Sequence, residues 1–387
     1  MAQLSRRGLL RGAGGLAFAG GSLAVLPLFD LQGAKQDPAK CRAKDISEIQ
    51  KQLVVSNWPL YIDPIKKADS TLKVFERETG ITVDYSDDVN DNTEFFAKVR
   101  NQLGSCQTIK RDMMILTDWM AARVINLGWV QPLNKDAVPN LHKNLIKPLR
   151  NRAWDPDRTY SAPWQSGLTG IAYNAKLTGK VSSFKELITR ADLSGKVTLL
   201  SEMRDTMGFM LKVVGADPEK FGDTEWGDAI DALRKSVSTG HVRAFTGNEY
   251  SQDLAAGNLL ACEAWSGDII QLQFDNPDIK FVYPEEGVSL WSDNMLVPNL
   301  ATHQGNAEKW INYYYDPVVA AKLAAWNNYI CPVIGAKQEM EKLDPTLVDN
   351  KLIFPDEADL ATTFEFMPLN ETQNKIYEKE WSDVTGG

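Results

Sequence analysis

The sequence predicts an α/β protein in two lobes, each a mostly parallel sheet flanked by helices. Strand-like and helix-like segments alternate from Gln52 to the DMMIL run at 112–116, and the alternation restarts at Leu168. This is the pattern of a parallel sheet covered on both faces. The chain has 387 residues, and the roughly 350 that come after an N-terminal leader are more than one ordinary core accommodates. Short phrases pairing an aromatic ring with an acid stand where predicted strands end, which is where open α/β sheets gather ligands.

The phrase SRRGLLR at 5–11, followed by an uncharged Gly/Ala/Leu stretch to Phe29, predicts a twin-arginine export leader over residues 1–34. The stretch is too rich in glycine and too weakly apolar for a permanent membrane span. The mature protein then works in the periplasm or on the outer face of the cytoplasmic membrane. Residues 35–50 form a polar lead-in. Gln52–Ser56 reads as a buried strand, 64–79 as a helix stopped by Gly80, and 81–85 as the second strand. A helix over 92–103, capped by Asp91 or Asn92, leads to a strand at 112–116 that runs into Thr117 and Asp118 as the next helix start. In the second lobe, strands are expected at 168–173, 196–200, 259–264 and 279–283, with helices at 206–214 and 224–239. A strand at 294–297, a helical stretch at 306–326 broken by Pro317, and a helix from about Asn370 to Trp381 complete the chain. The lobes are expected to join near 163–167, 289–292 and 329–332. This gives 46–165 and 292–330 to one lobe, and 166–291 and 331–387 to the other.

Composition narrows the chemistry. The leader holds three basic and one acidic side chain, so its removal takes the net charge from −9 to −11. That argues against nucleic acid and anionic lipid as partners and suits a cationic ligand. The cysteines Cys41, Cys106, Cys262 and Cys331 show no metal-ligand spacing. An exported chain can form a disulfide, but the sequence does not choose among the pairings. Lys40 in front of Cys41 excludes a lipid-anchor motif. The histidines His142, His241 and His303 are far apart, and there is no GxSxG, HExxH or phosphate loop, so neither an enzyme nor a cofactor is expected. Carboxylate pairs leave an exported glycoside-active enzyme as a weaker alternative. Tyr313-Tyr314-Tyr315 would suit ferric iron, but they fall inside a helical phrase where packing is the simpler use.

The pairing of rings with acids carries the functional reading. Trp58 and Tyr61 share NWPLY, Trp119 follows Asp118, Trp265 precedes Asp268 in AWSGD, and Trp291 precedes Asp293 in LWSDN. An aromatic face attracts an organic ammonium and covers its methylenes, while a carboxylate takes its N–H donors. A single such phrase is more often a core tryptophan beside a solvated acid. Four of them, each ending an apolar run, point to a cation site. Helix starts normally attract anions, so Asp118, Asp205 and Asp268 at such positions would be held ionised by the helix dipole.

The phrases NWPLYI, DMMILTDWMA, LLSEMRDTMGF, EAWSGD, FVYPEEGVSLWSDNMLVP and IYEKEW resemble those of the polyamine-binding proteins of ABC importers, the spermidine- and putrescine-binding periplasmic family. The resemblance runs from about Gln52 to Trp381. It implies a type II periplasmic-binding-protein clamshell, monomeric, that closes on its ligand and hands it to a membrane permease. By position it implies ligand contacts from Trp58 and Tyr61 in the first lobe, from the Thr117 hydroxyl, and from Trp119. Glu202 and Asp205 match an acid-x-x-acid segment for one ammonium, Trp265 and Trp291 match ring walls, and Tyr329 an aromatic contact. Asp268 matches an acid of diamine binders and Asp293 the acid facing a terminal amine. Pro59-Leu60 and Met367 depart from the pattern where the family has polar residues, which leaves open which amine is taken. The same clamshell also serves other small organic cations, or a sensor in place of a permease.

Overall fold

The computed structural model describes residues 35–386, apart from Leu60 and Asn90. The export leader expected over 1–34 lies outside the described residues. β1 (Gln52–Ser56) opens the first lobe. α1 (Thr71–Thr79) follows, capped by the Ser70 hydroxyl and closed by Gly80 in the left-handed region. The sequence places this helix start at Pro64. Residues 64–70 form turns instead, and Asp63 receives the Thr71 amide at the true start. β2 (Thr82–Ser86), α2 (Asn92–Gly104, capped by Asp91), β3 (Met113–Thr117), α3 (Asp118–Asn126) and the short α4 (Pro139–Asn144) continue the alternation.

β4 (Ser161–Asn174) is far longer than the strand expected at 168–173. It leads into α5 (Phe184–Thr189), β5 (Val197–Leu200), α6 (Met203–Val213), α7 (Asp223–Ser238) and β6 (Val242–Thr246). α8 (Tyr250–Ala256), β7 (Ala261–Trp265), α9 (Ser266–Asp275) and β8 (Ile279–Val282) come next. β9 (Val288–Leu296) returns the chain to the first lobe, where α10 (Gln304–Tyr314), α11 (Pro317–Asn327) and α12 (Ala336–Leu343) lie. α13 (Glu357–Ala361), β10 (Thr363–Phe364) and α14 (Glu371–Thr385) end the chain. Asp316 caps α11, with Pro317 in its first turn, so the expected break at Pro317 is a clean restart.

The strands run in the order β2-β1-β3-β9-β4-β7-β5-β6. β1 is parallel to β2 and β3, and β5 is parallel to β6 and β7. β4 and β9 pair antiparallel with each other and thread both halves. Each half therefore has a parallel trio beside one antiparallel strand, with cores on both sheet faces. Leu53, Met113 and Trp310 mark one core of the first lobe, and Phe96, Met120 and Trp129 the other. Phe184, Phe209 and Trp226 mark the larger core of the second lobe.

The stretch 331–387, expected in the second lobe, packs in two places. Cys331, Val333, Met340, Leu347 and Ile353 bury themselves with Leu53 and Trp310 in the first core. The chain returns to the second lobe with Phe364, which packs on Phe209. The junction at 329–332 is real as a contact, since Ser166 and Ile330 exchange backbone hydrogen bonds of 3.1 and 2.8 Å. Among the described residues no helix is long and apolar enough to cross a membrane.

Cys41 and Cys106 form a disulfide, and Cys262 and Cys331 are buried free thiols. The bridge fastens the lead-in segment to the end of α2. The Cys106→Ser change is expected to lower unfolding free energy by about 2–4 kcal/mol, because the bridge constrains a long loop of the unfolded chain. It should leave ligand titration unchanged. Urea unfolding of both forms checks this, and equal stabilities would show that the bridge does no more than tether the lead-in segment.

Candidate functional site

A cleft of about 700 Å³ opens between the lobes. Trp58, Tyr61, Thr117, Trp119 and Asp293 line it from the first lobe, and Glu202, Asp205, Trp265 and Asp268 from the second. Trp291 and Tyr329 line it where the lobes join. Every residue nominated from the sequence thus faces one space. The reason is topological: all but Tyr329 lie at or just past the carboxyl end of a strand or on a strand that crosses between lobes, and Tyr329 follows α11 beside the Ile330–Ser166 bridge.

Asp293 lies on β9 directly opposite Thr117 of β3. Its Oδ1 accepts from the Thr117 hydroxyl at 2.7 Å and its Oδ2 from the Tyr61 hydroxyl at 2.7 Å. Asn92 orients Thr117 by accepting its amide and donating to its hydroxyl. Asp293 is 5% exposed, and among the described residues no basic side chain pairs with it. Burial pushes its pKa up to about 7, against the pull of the two hydroxyls.

At the other lobe, Asp205 accepts from the Thr169 hydroxyl at 2.8 Å and from Trp265 Nε1 at 3.0 Å. Burial lifts it to about 6. Asp268, in the first turn of α9, accepts from Asn248 at 2.6 Å and from the Tyr250 hydroxyl at 2.9 Å. The same Tyr250 oxygen accepts the Trp265 amide. Trp265 therefore sits between two carboxylates, one touching its ring nitrogen and the other tied to its backbone.

The aromatic walls are seated on glycines. A Cβ at Gly167 would come within 2.2 Å of the Trp291 ring, and one at Gly267 within 2.6 Å of the Tyr329 ring. Tyr329 in turn meets Trp291 and Tyr61 edge-on, with centroids 5.6 and 5.4 Å apart. Trp291 Nε1 donates to the Thr169 hydroxyl at 3.0 Å, and that hydroxyl donates to Asp205. One hydrogen-bonded chain therefore joins a ring wall to a cleft acid.

Other features of the site are not read from the sequence. Arg204, 7% exposed, sits on α6 between Glu202 and Asp205, and its guanidinium carbon lies 3.3 Å from the Trp119 ring centroid. It pairs with Glu202 at 3.7 Å and with Glu378 at 3.5 Å. Its place in the SEMRD phrase is the only sequence signal of this arrangement. Glu202 also caps α6 by accepting the Arg204 amide, and burial raises its carboxyl to about 7 despite the guanidinium. Asp118 accepts from the Ser292 amide and the Asn294 side chain, so it braces β9 beside the cleft. Arg123 grips Glu371 in a two-pronged ion pair at 2.7–3.0 Å, and Arg152 pairs with Glu365. Both tie the first lobe to the second. The tyrosines at 313–315 spend their hydroxyls on Thr71 and the Pro163 carbonyl, so they pack as expected.

A family model described as bacterial extracellular solute-binding protein matches residues 70–352. The spermidine/putrescine-binding periplasmic protein of Escherichia coli (strain K12) is 25% identical over 333 residues, spanning 86% of this chain and 90% of that one. The putrescine-binding periplasmic protein PotF of the same organism is 26% identical over 359 residues, spanning 87% and 92%. Among solved structures, the spermidine/putrescine ABC transporter substrate-binding protein PotD of Streptococcus pneumoniae superposes with a TM-score of 0.73 at 23% identity. That match covers 87% of this chain and 98% of the other.

Asp293 also makes the ligand-free fold sensitive to pH. Its folded pKa of about 7 lies above the usual carboxylate value, so its contribution to stability is full below about pH 4 and is lost as pH rises through 7. Asp293→Asn is therefore expected to raise unfolding free energy at pH 8, by on the order of 2–4 kcal/mol, with the gain shrinking as pH falls. Denaturant titrations at pH 5, 6.5 and 8 read this. A variant no more stable than wild type at pH 8 would show that the carboxylate ionises without penalty.

Proposed function

The chain belongs to the bacterial extracellular solute-binding protein family and has that family's two-lobed clamshell, and from this premise we propose that it captures a linear polyamine of the putrescine or spermidine class and delivers it to an ABC transporter permease. The proposal places this step outside the cytoplasmic membrane, after export by the twin-arginine route, with a monomer as the working unit. The lobes expected from the sequence would close around the amine as rigid bodies. No bond is made or broken.

The observation that carries the reading is Asp293. A buried carboxylate held by two neutral hydroxyls has its hydrogen bonds satisfied and its charge uncompensated. Leaving such a charge unpaired costs several kcal/mol, and a ligand ammonium supplies the missing partner. Asp205 is likewise held by neutral donors alone, the Thr169 hydroxyl and the Trp265 ring nitrogen, across the cleft. Ammonium groups at both ends and methylenes along the Trp291 and Tyr329 rings match this layout. A sugar would leave the acids unpaired, and an anion would be repelled. The names of the relatives at 25–26% identity point the same way.

Calorimetric titration with putrescine, spermidine, choline and a neutral sugar tests the proposal. Binding of the polyamines alone is the expected result, and tight sugar binding without a response to amines would sink it. Asp293→Asn should weaken amine binding by about 2–5 kcal/mol, and alanine at Trp265 or Trp291 by about 1–3 kcal/mol each.

The pH dependence comes from the same acids. An ammonium lowers the pKa of the carboxylates it meets. Affinity should thus be full above about pH 7 and fall as pH drops through the ligand-free values near 7 and 6, with protons released on binding. Titration in buffers of different ionisation heat measures that release, and a flat profile between pH 5 and 8 would remove Asp293 and Asp205 from the site.

A further inference from the structure

We infer that Arg158, buried outside the cleft, is a positioning residue for the amine site: through Asn294 and Asp118 it holds the residues on either side of Asp293 and balances the negative charge beside that acid. This rests on the polyamine reading above and extends it to a side chain that touches no ligand. Arg158 is 2% exposed. Its Nη1 donates to Asn294 Oδ1 and to the Ser161 hydroxyl, both at 2.9 Å, and its Nε donates to the Leu149 carbonyl at 2.7 Å. Asn294 Nδ2 donates in turn to Asp118 Oδ1 at 2.8 Å, and Asp118 Oδ2 accepts the Ser292 amide at 2.8 Å. One chain therefore runs from the guanidinium to both neighbours of Asp293 on β9. Successive strand side chains point to opposite faces, so Asn294 is gripped from behind while Asp293 faces the cleft.

A strained turn delivers this arginine. Asp157 and Arg158 have φ of 59° and 51°, in the left-handed region that residues other than glycine rarely adopt. Asp155 holds the turn by accepting the amides of Thr159, Tyr160 and Ser161. Such strain persists where the surroundings over-determine it, and it gathers at functional sites. The titratable groups that face the guanidinium are Asp118, Asp155, Arg152 and Tyr315. Arg152 is committed to Glu365, and the Tyr315 hydroxyl to the Pro163 carbonyl. Arg158 reaches Asp155 through Ser161 and Asp118 through Asn294. Burial lowers its pKa only to about 10, so it stays charged through the neutral range. Asp293 faces Asp118 and Asp205, whose charges add to the upward push of burial on its carboxyl. By attracting Asp118, the guanidinium limits what that acid adds.

The test is calorimetry with putrescine on the full mature chain, from about pH 5 to 8.5 to span the carboxylate values, with a melting curve for each form. Arg158→Met keeps the stem and removes the charge. It is expected to weaken putrescine about tenfold at pH 8. It should also move the acid-side fall of affinity up by about half a pH unit, because Asp118 is left unbalanced beside Asp293. A fall that stays in place in a folded variant overturns the inference whatever the affinity does, since a role confined to packing leaves the proton equilibrium of Asp293 alone. Unchanged affinity at pH 8 overturns it as well. If Arg158→Met does not fold, Asp118→Asn decides. That change leaves Arg158 unbalanced, so the fall should move down by about half a unit, and an unmoved or raised fall overturns the inference. A wild type that binds no putrescine would overturn the polyamine reading and this inference together, whereas a wild type that binds it beside a variant with an unshifted fall overturns this inference alone.

Discussion

A carboxylate buried without a counter-charge is the constraint around which this molecule is arranged. Asp293 can stay in its place only because β9 crosses between the lobes in register with β3, which puts Thr117 opposite it. Asn92, at the start of α2, then turns Thr117 toward the acid. Asp118 fixes the Ser292 amide one residue away. These contacts hold the oxygen atoms in position without cancelling the charge. The sheet pairing, two helix starts and the lobe junction are therefore all engaged in presenting one ionisable group.

The cleft's other charges separate by what lies behind them. Arg204 lies between Glu202 and Glu378, so these two acids share an internal cation. Asp205 is backed by Thr169 and Trp265, neutral donors that leave its charge uncompensated. Acids that look alike in sequence thus differ in use. Asp118 belongs to the scaffold, Glu202 shares an internal cation and caps a helix, and Asp205 and Asp293 accept from neutral donors alone. The difference comes from partners that lie far along the chain, such as Glu378 and Asn374 on α14.

The two-lobe architecture and the cleft phrases are legible because parallel α/β lobes display their local signals openly. Hydrophobic strand cores such as DMMIL and VTLL stand out, and the residues just past each strand face the cleft by topology. The crossing strands are harder to read. SAPWQSGLTG and VSLWSDN mix proline, glycine and polar side chains because strand neighbours on both sides satisfy their backbones and the side chains serve the junction. Short helices such as α5 and α8 carry too few turns to show a period. The lobe membership of 331–353 depends on packing against β1 and α10, which no local pattern encodes. The Cys41–Cys106 pairing is likewise decided by the fold, since the cysteines lie 65 residues apart.

The glycine seats behind Trp291 and Tyr329 give the cleft a form of evolvability. Neither glycine presents a side chain to the cleft, yet a single added methyl at Gly167 or Gly267 would drive a ring forward into it. The space available to ligand methylenes can thus be altered from behind the wall, while Asp293, Asp205 and Trp265 keep their identities. Descendants of such a chain can drift in ligand size by changes at positions that an inventory of contact residues would pass over. A designer seeking a sensor for a shorter or bulkier amine has the same two handles.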